Sequence, residues 1–87
     1  MPHVPSEWQA MVTACEPLHH ILHEARFELV TGDDTAESVF EFYRPYLAAY
    51  VGPDAASVWG MTTKEHLDVA LTVLRQTLGL QPAEVSP

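Results

Sequence analysis

Apolar and small residues recur along the N-terminal part of the chain at alternating steps of three and four, from Trp8 to Leu29. Residues with this spacing lie along one stripe of an α-helix, and such a stripe faces a neighbouring helix. The pattern therefore predicts a long helix over residues 6–30. The stripe consists of Trp8, Met11, Cys15, Leu18, Leu22, Ala25 and Leu29.

Pro17 lies inside this predicted helix. A proline in a helix interior removes one backbone hydrogen bond and crowds the carbonyl group four residues earlier. We therefore expect the first helix to be kinked or broken near Pro17. The apolar stripe keeps its phase across the proline, which favours a kink over a break.

A second long helix is predicted after the turn at Gly32. Asp34 is suited to cap its N-terminus because Glu37 follows three residues later, and the run 51–53 (Val-Gly-Pro) is a stop signal. Pro45 is expected to bend this helix. The side chains expected to face the core are Ala36, Val39, Phe40, Tyr43, Tyr46, Leu47, Tyr50 and Val51.

The last helix has the clearest boundaries. Thr62 and Glu65 have the spacing of a capping box, and Gly79 followed by Leu80 is a typical terminator. A short helix is predicted within residues 53–60, and Trp8 and Trp59 are expected to cap the core. The buried face of the last helix is predicted to consist of Leu67, Ala70, Leu71, Leu74 and Leu78.

These elements predict an all-α fold: a small antiparallel helical bundle of three longer helices plus one short helix. Residues 6–80 form the single domain, and residues 1–5 and 81–87 are expected to be flexible ends. A hairpin of strands at 27–30 and 37–43 is the alternative. It is disfavoured because strict alternation of apolar and polar residues fails at Val39-Phe40.

Net charge restricts the classes of partner. Among 87 residues, 12 are Asp or Glu and 4 are Lys or Arg, which gives a formal charge of −8 at pH 7. Four cations are too few to form the continuous basic surface that binds phosphate groups, and we therefore expect no direct nucleic-acid binding. An anionic membrane surface would also repel the chain. Because neither a secretory signal nor a sufficiently long apolar run is evident, the predicted location is cytoplasmic.

Catalytic signatures are missing from the sequence. No nucleophile elbow, nucleotide-binding loop or complete metal motif occurs, and the single Cys15 excludes an internal disulfide. The chain is therefore predicted not to be an enzyme and to need no cofactor.

A metal site is the alternative function. Cys15, His19 and His23 follow one another at steps of four, which places a thiol and two imidazoles on one flank of a helix. Zinc or another transition metal binds such groups when three or four converge. Pro17 interrupts the spacing and no fourth ligand is evident, so the favoured interpretation is a row of surface histidines.

Acidic residues gather on both sides of the first turn, and Phe27 and Phe42 lie off the apolar stripes of their helices. Exposed aromatic residues within an acidic surround are typical of a surface that docks a basic protein partner, and a homodimer would also bury them. The predicted partner-binding residues are Glu24, Phe27, Glu28, Asp33, Asp34, Glu37, Glu41 and Phe42.

The sequence thus predicts a non-enzymatic, acidic, helical protein-interaction module, such as an inhibitor, an antitoxin-like or immunity-like protein, or an adaptor. Its length, its acidity and its order of helices resemble those of the colicin immunity proteins. This resemblance is one of architecture, without a shared motif, and implies an inhibitor that engages a basic partner.

Overall fold

The structure, a computed structural model, describes residues 6–52, 56–57 and 59–80. Throughout these ranges the chain is helical or irregular and has no strand, which confirms the all-α prediction. The predicted ends at 1–5 and 81–87 lie outside the described residues, as does most of the predicted short helix, of which Ala56 and Ser57 are helical. The long helices are α1 (Ser6–Ala14), α2 (Glu16–Thr31), α3 (Ala36–Tyr50) and α4 (Thr63–Thr77).

The predicted interruption near Pro17 is a break and not the favoured kink. Cys15 has an extended backbone, with φ −76° and ψ 109°, and separates α1 from α2. Its N–H donates to the carbonyl of Val12 at 3.1 Å, and its carbonyl accepts from the N–H of His19 at 2.8 Å. Pro17 then lies in the first turn of α2, where a missing N–H leaves no bond unmade.

A short connection over residues 32–35 joins α2 to α3 and makes them antiparallel neighbours. The N–H of Gly32 donates to the carbonyl of Glu28 at 2.7 Å and ends α2. Thr35, not the predicted Asp34, caps α3: its Oγ1 accepts from the N–H of Ser38 at 3.1 Å. Pro45 lies inside α3, which continues through it to Tyr50.

The capping structures predicted for both ends of α4 are present. The Thr62 hydroxyl accepts from the N–H of Glu65 at 3.1 Å, and the Glu65 carboxylate accepts from the N–H of Thr62 at 2.9 Å, which completes the capping box. At the other end, the N–H of Leu80 reaches the carbonyl of Arg75 at 2.9 Å. Gly79 makes this Schellman turn possible because its φ is +76°.

The core lies around α2 and α4, since α4 packs against each of the other long helices. Arg75 covers one side of it, with its guanidinium carbon 4.3 Å from the centroid of the Phe40 ring. Burial of each large apolar side chain contributes about 1.5–3 kcal/mol. The largest fully buried side chains are Val12, Leu18, Val39, Leu47, His66 and Leu74.

The buried face of α4 differs from the predicted one. His66, Val69 and Val73 are buried beside Ala70 and Leu74, whereas the predicted Leu67 and Leu71 are only half-buried. His66 is wholly inaccessible, and neither of its ring nitrogens has a hydrogen-bond partner among the described residues. Burial therefore lowers the pKa of His66 below its ordinary value.

His66 should make the protein less stable in acid. The unfolded chain takes up a proton near pH 6.5, whereas the buried neutral ring resists it, so stability is full above about pH 6.5 and falls as the pH drops below that value. We expect the melting temperature of His66→Leu to fall less than that of the wild type between about pH 7.5 and about pH 5.5. Equal losses in the two proteins would contradict this account of His66.

Gly32 should not accept a side chain. A Cβ atom there would lie 2.7 Å from the carbonyl oxygen of Glu28, a backbone atom that cannot move alone. We expect Gly32→Ala to lower the free energy of unfolding by about 1–3 kcal/mol. Gly52→Ala is the matched control, because a Cβ there meets nothing within 4 Å, and its stability should equal or slightly exceed that of the wild type. Urea denaturation of both variants measures the difference.

Candidate functional site

An open groove of about 960 Å³ runs between α2 and α3. One wall consists of polar side chains of α2 and the other of aromatic side chains of α3, with the buried Ile21 between them. The α2 wall includes Glu16, His19, His20, His23 and Glu24. The α3 wall consists of Phe42, Tyr43, Tyr46 and Tyr50.

Three aromatic residues of α3, which we call the aromatic row, are exposed along this groove. Phe42, Tyr46 and Tyr50 follow one another at steps of four and are 58%, 51% and 53% exposed. Phe42 meets Tyr43 edge-on, with ring centroids 5.0 Å apart, and lies 5.5 Å from Tyr46. These contacts join Phe42, Tyr43 and Tyr46 into one aromatic surface, and Tyr50 lies one turn further along α3.

The aromatic row corrects one expectation from the sequence. Tyr46 and Tyr50 were predicted to face the core, but α3 packs against α2 and α4 through Val39, Phe40 and Leu47. No described helix covers the flank that carries Tyr46 and Tyr50. The predicted exposure of Phe42 is confirmed, and so is that of Phe27, which is 56% exposed.

Tyr43, on the aromatic wall of the groove, is influenced by carboxylates of α2. Burial raises the pKa of its phenol, and the carboxylates of Glu28 and Glu24 raise it further. A tyrosine with the ordinary pKa of about 10 is already protonated at neutral pH, and this shift moves its ionisation still further from that range. Tyr43 therefore presents a neutral hydrogen-bond donor beside two carboxylates.

The predicted acidic residues lie around the α2–α3 connection, a region that we call the acidic end. Glu24 and Glu28 are on the last turns of α2, Asp33 and Asp34 are in the connection, and Glu37 and Glu41 are on the first turns of α3. Glu24 and Phe42 also line the groove. Phe27 is on α2 but is not among the residues that line the groove.

Most of the permanent cations are engaged within the chain. Arg44 pairs with Glu41 at 3.5 Å, Lys64 pairs with Asp68 at 3.1 Å, and Arg75 packs on Phe40. The first two pairs are exposed, and such pairs contribute little to stability. The acidic end carries six carboxylates, against Arg26 and Arg44 on the same segment, so its net charge is negative.

The proposed metal ligands do not form a complete set. Cys15 is half-buried at the break between α1 and α2, whereas His19 and His23 are exposed on α2. Within the part of the chain that the structure describes, no three His, Cys, Asp or Glu side chains are placed to hold one ion. A zinc site with three or four ligands would therefore need a donor from elsewhere.

Comparison with known proteins finds no matching family model, no similar curated protein and no similar solved structure. Function is therefore inferred from the groove, the charges and the exposed side chains themselves. None of the helices in the described ranges is long and apolar enough to cross a membrane.

The aromatic row should be dispensable for folding. Because Tyr46 and Tyr50 are half exposed, we expect the double variant Tyr46→Ser/Tyr50→Ser to lose about 1 kcal/mol or less of unfolding free energy. Leu47→Ala, on the same helix but fully buried, should lose about 2–5 kcal/mol. Thermal denaturation compares the two, and a larger loss in the tyrosine variant would mean that these rings belong to the core.

Proposed function

We propose that this protein is a non-enzymatic interaction module whose α2–α3 groove binds a basic, amphipathic helix of a partner protein. The observation that carries the proposal is the aromatic row, Phe42, Tyr46 and Tyr50, which is exposed opposite the carboxylates of Glu16 and Glu24. The acidic end extends the same surface.

The aromatic row supplies the apolar contact area of this surface. Aromatic side chains are enriched at the centres of protein interfaces, where burial of one ring can contribute more than 1 kcal/mol to binding. Solitary exposed apolar residues are common on soluble proteins, but a continuous exposed patch is typical of a binding site. Phe42, Tyr43 and Tyr46 form such a patch, since their rings are in contact.

Charge favours a basic partner over an acidic one. The chain carries a net charge of −8, and carboxylates occur both in the groove and at the acidic end. A field of one sign accelerates encounter with the opposite sign and rejects partners of the same sign. Self-association through this surface is disfavoured on the same ground, because each copy brings the same negative charge.

The shape of the groove favours a helix as the bound segment. Two antiparallel helices form its walls, and the aromatic row spans nine residues of α3, which places its first and last residues about 12 Å apart along the helix axis. An amphipathic helix bound in such a groove inserts apolar residues spaced by three or four positions. Its basic residues would then face Glu16, Glu24 and the acidic end.

This role fits an inhibitor, an antitoxin-like or immunity-like protein, or an adaptor, since each acts by occupying a partner's surface. We propose that it acts in the cytoplasm. With a helix bound in the groove, the histidines of the α2 wall would contact its polar residues; these histidines are His19, His20 and His23.

A designed peptide tests the groove without knowledge of the natural partner. The probe is a fluorescently labelled amphipathic helix of leucine and lysine, and its counterpart has glutamate in place of lysine. We expect the wild type to bind only the lysine peptide, with an affinity that decreases as salt increases. Tyr46→Ser/Tyr50→Ser, which leaves the charge unchanged, should weaken binding at least about 10-fold.

Charge variants separate the two parts of the surface. Reversal of Glu28, Asp33, Asp34 and Glu37 to lysine should weaken binding and reduce its salt dependence, although Glu16 and Glu24 remain in the groove, whereas Glu7→Lys on α1, outside the groove, should change binding little. Unchanged binding in the tyrosine variant would refute the groove as the site. If sedimentation velocity showed a dimer that the tyrosine variant dissociates, the occupant would be a second copy and the proposed partner would be wrong.

A further inference from the structure

A second cleft, of about 370 Å³, lies between α1 and α4 and is separate from the α2–α3 groove. It brings together the two tryptophans of the chain. Apolar and acidic side chains of α4 and of the turn before it complete the lining. The residues that matter to its chemistry are Trp8, Trp59, Met61, Glu65, Asp68 and Val69.

Both indoles remain accessible, although the sequence predicts that they cap the core. Trp8 is 37% exposed and Trp59 is 45% exposed. Trp59 is held in a hydrogen-bonded turn, because its N–H and that of Met61 both donate to the carbonyl of Ala56 at 3.0 Å. The cleft therefore has an aromatic surface on two different elements.

Negative charge accompanies these rings. Glu65 and Asp68 line the cleft, and none of the described residues that line it is cationic. Lys64 neutralises Asp68 only through an exposed ion pair, with side chains 85% and 60% exposed. Such a pair is weak, so a cation bound in the cleft can compete for the Asp68 carboxylate.

Aromatic faces and carboxylates together attract cations, and the apolar lining selects among them. A primary ammonium is strongly hydrated, and Val69, Met61 and the indoles cannot replace its water. A trimethylammonium group presents methyl groups to the rings and spreads its charge, so it gains the cation–π attraction without that loss. The volume lies at the lower end of the range for small-molecule sites, which suits a small headgroup.

We propose that the Trp8–Trp59 cleft binds a trimethylammonium cation, with the two indoles against its methyl groups and the carboxylates of Asp68 and Glu65 balancing its charge. Choline-like molecules and trimethylated lysine side chains share this chemistry. The site lies on α1, α4 and the turn before α4, apart from the α2–α3 groove. A test of this cleft is therefore independent of any test of the proposed interaction module.

Intrinsic fluorescence tests the proposal directly, because the chain has no tryptophan other than Trp8 and Trp59. We expect choline chloride to change the emission saturably. Its neutral isostere 3,3-dimethylbutanol and ammonium chloride at the same ionic strength should not. Equal responses to choline and to the neutral isostere would overturn the proposal, since they would leave no role for charge.

Variants measured by calorimetry, which does not depend on the tryptophans as reporters, locate the site. Trp59→Leu should weaken choline binding about 10-fold, and Trp59→Phe, which keeps an aromatic face and guards against loss of the fold, should retain intermediate affinity. Asp68→Asn should weaken it about 3-fold or more. Glu7→Gln, an exposed carboxylate of α1 outside the cleft, is the matched control and should bind as the wild type does.

A peptide with one trimethylated lysine distinguishes the two sources of the cation. Tighter binding of this peptide than of choline would assign the site to a protein-borne group, and equal or weaker binding would assign it to a free small molecule. Wild-type affinity in both Trp59→Leu and Asp68→Asn would refute the cleft as the site of binding.

Discussion

Pro17 is the constraint on which the arrangement of the helices depends. A continuous helix over residues 6–31 would be about 39 Å long and would carry its N-terminal third away from the rest of the chain. Unlike α3, which continues through Pro45, the chain breaks at Cys15, so that Pro17 lies in the first turn of α2 and α1 folds back onto both α2 and α4. Gln9 and Gln76 then join α1 to α4 through a side-chain hydrogen bond of 2.6 Å.

The same packing determines which surfaces remain open. With α1 on one side of the α2–α4 pair and α3 on the other, the flank of α3 that carries Tyr46 and Tyr50 has no described neighbour. The return of α1 also brings Trp8 to Val69 and the turn at Trp59. One break in the chain therefore accounts for the cleft, and the groove stays open because none of the described helices packs on that flank of α3.

Local signals in the sequence predicted local structure well. The capping box at Thr62 and the Schellman turn at Gly79 depend on a few neighbouring residues, and both are present. The break at Cys15 was harder, because a heptad pattern shows which side chains share a face but not whether the backbone between them is continuous. The cap at Thr35 differs from the predicted Asp34 by a single position, which is the usual uncertainty of a helix boundary.

Tertiary features were predicted less well because they depend on what covers each helix. The width of the apolar stripe on α3 correctly included Phe40 and Leu47 but gave no reason to exclude Tyr46. The buried face of α4 is rotated toward His66 and Val73, which no helical wheel could show without the positions of α1 and α2. The candidate sites followed the same rule: exposure of Phe42 was predicted from its own helix, whereas the Trp8–Trp59 cleft needed the whole fold.

The hydrogen bond between Gln9 and Gln76 has a consequence for the order of assembly. It joins residues 67 positions apart, nearly the whole described chain, whereas α2 and α3 meet across a connection of four residues. Closing a long loop costs more conformational entropy than closing a short one, so local pairing precedes distant pairing. Among the described helices, α1 is thus synthesised before the others but can complete its packing only after α4, its distant partner, has been made.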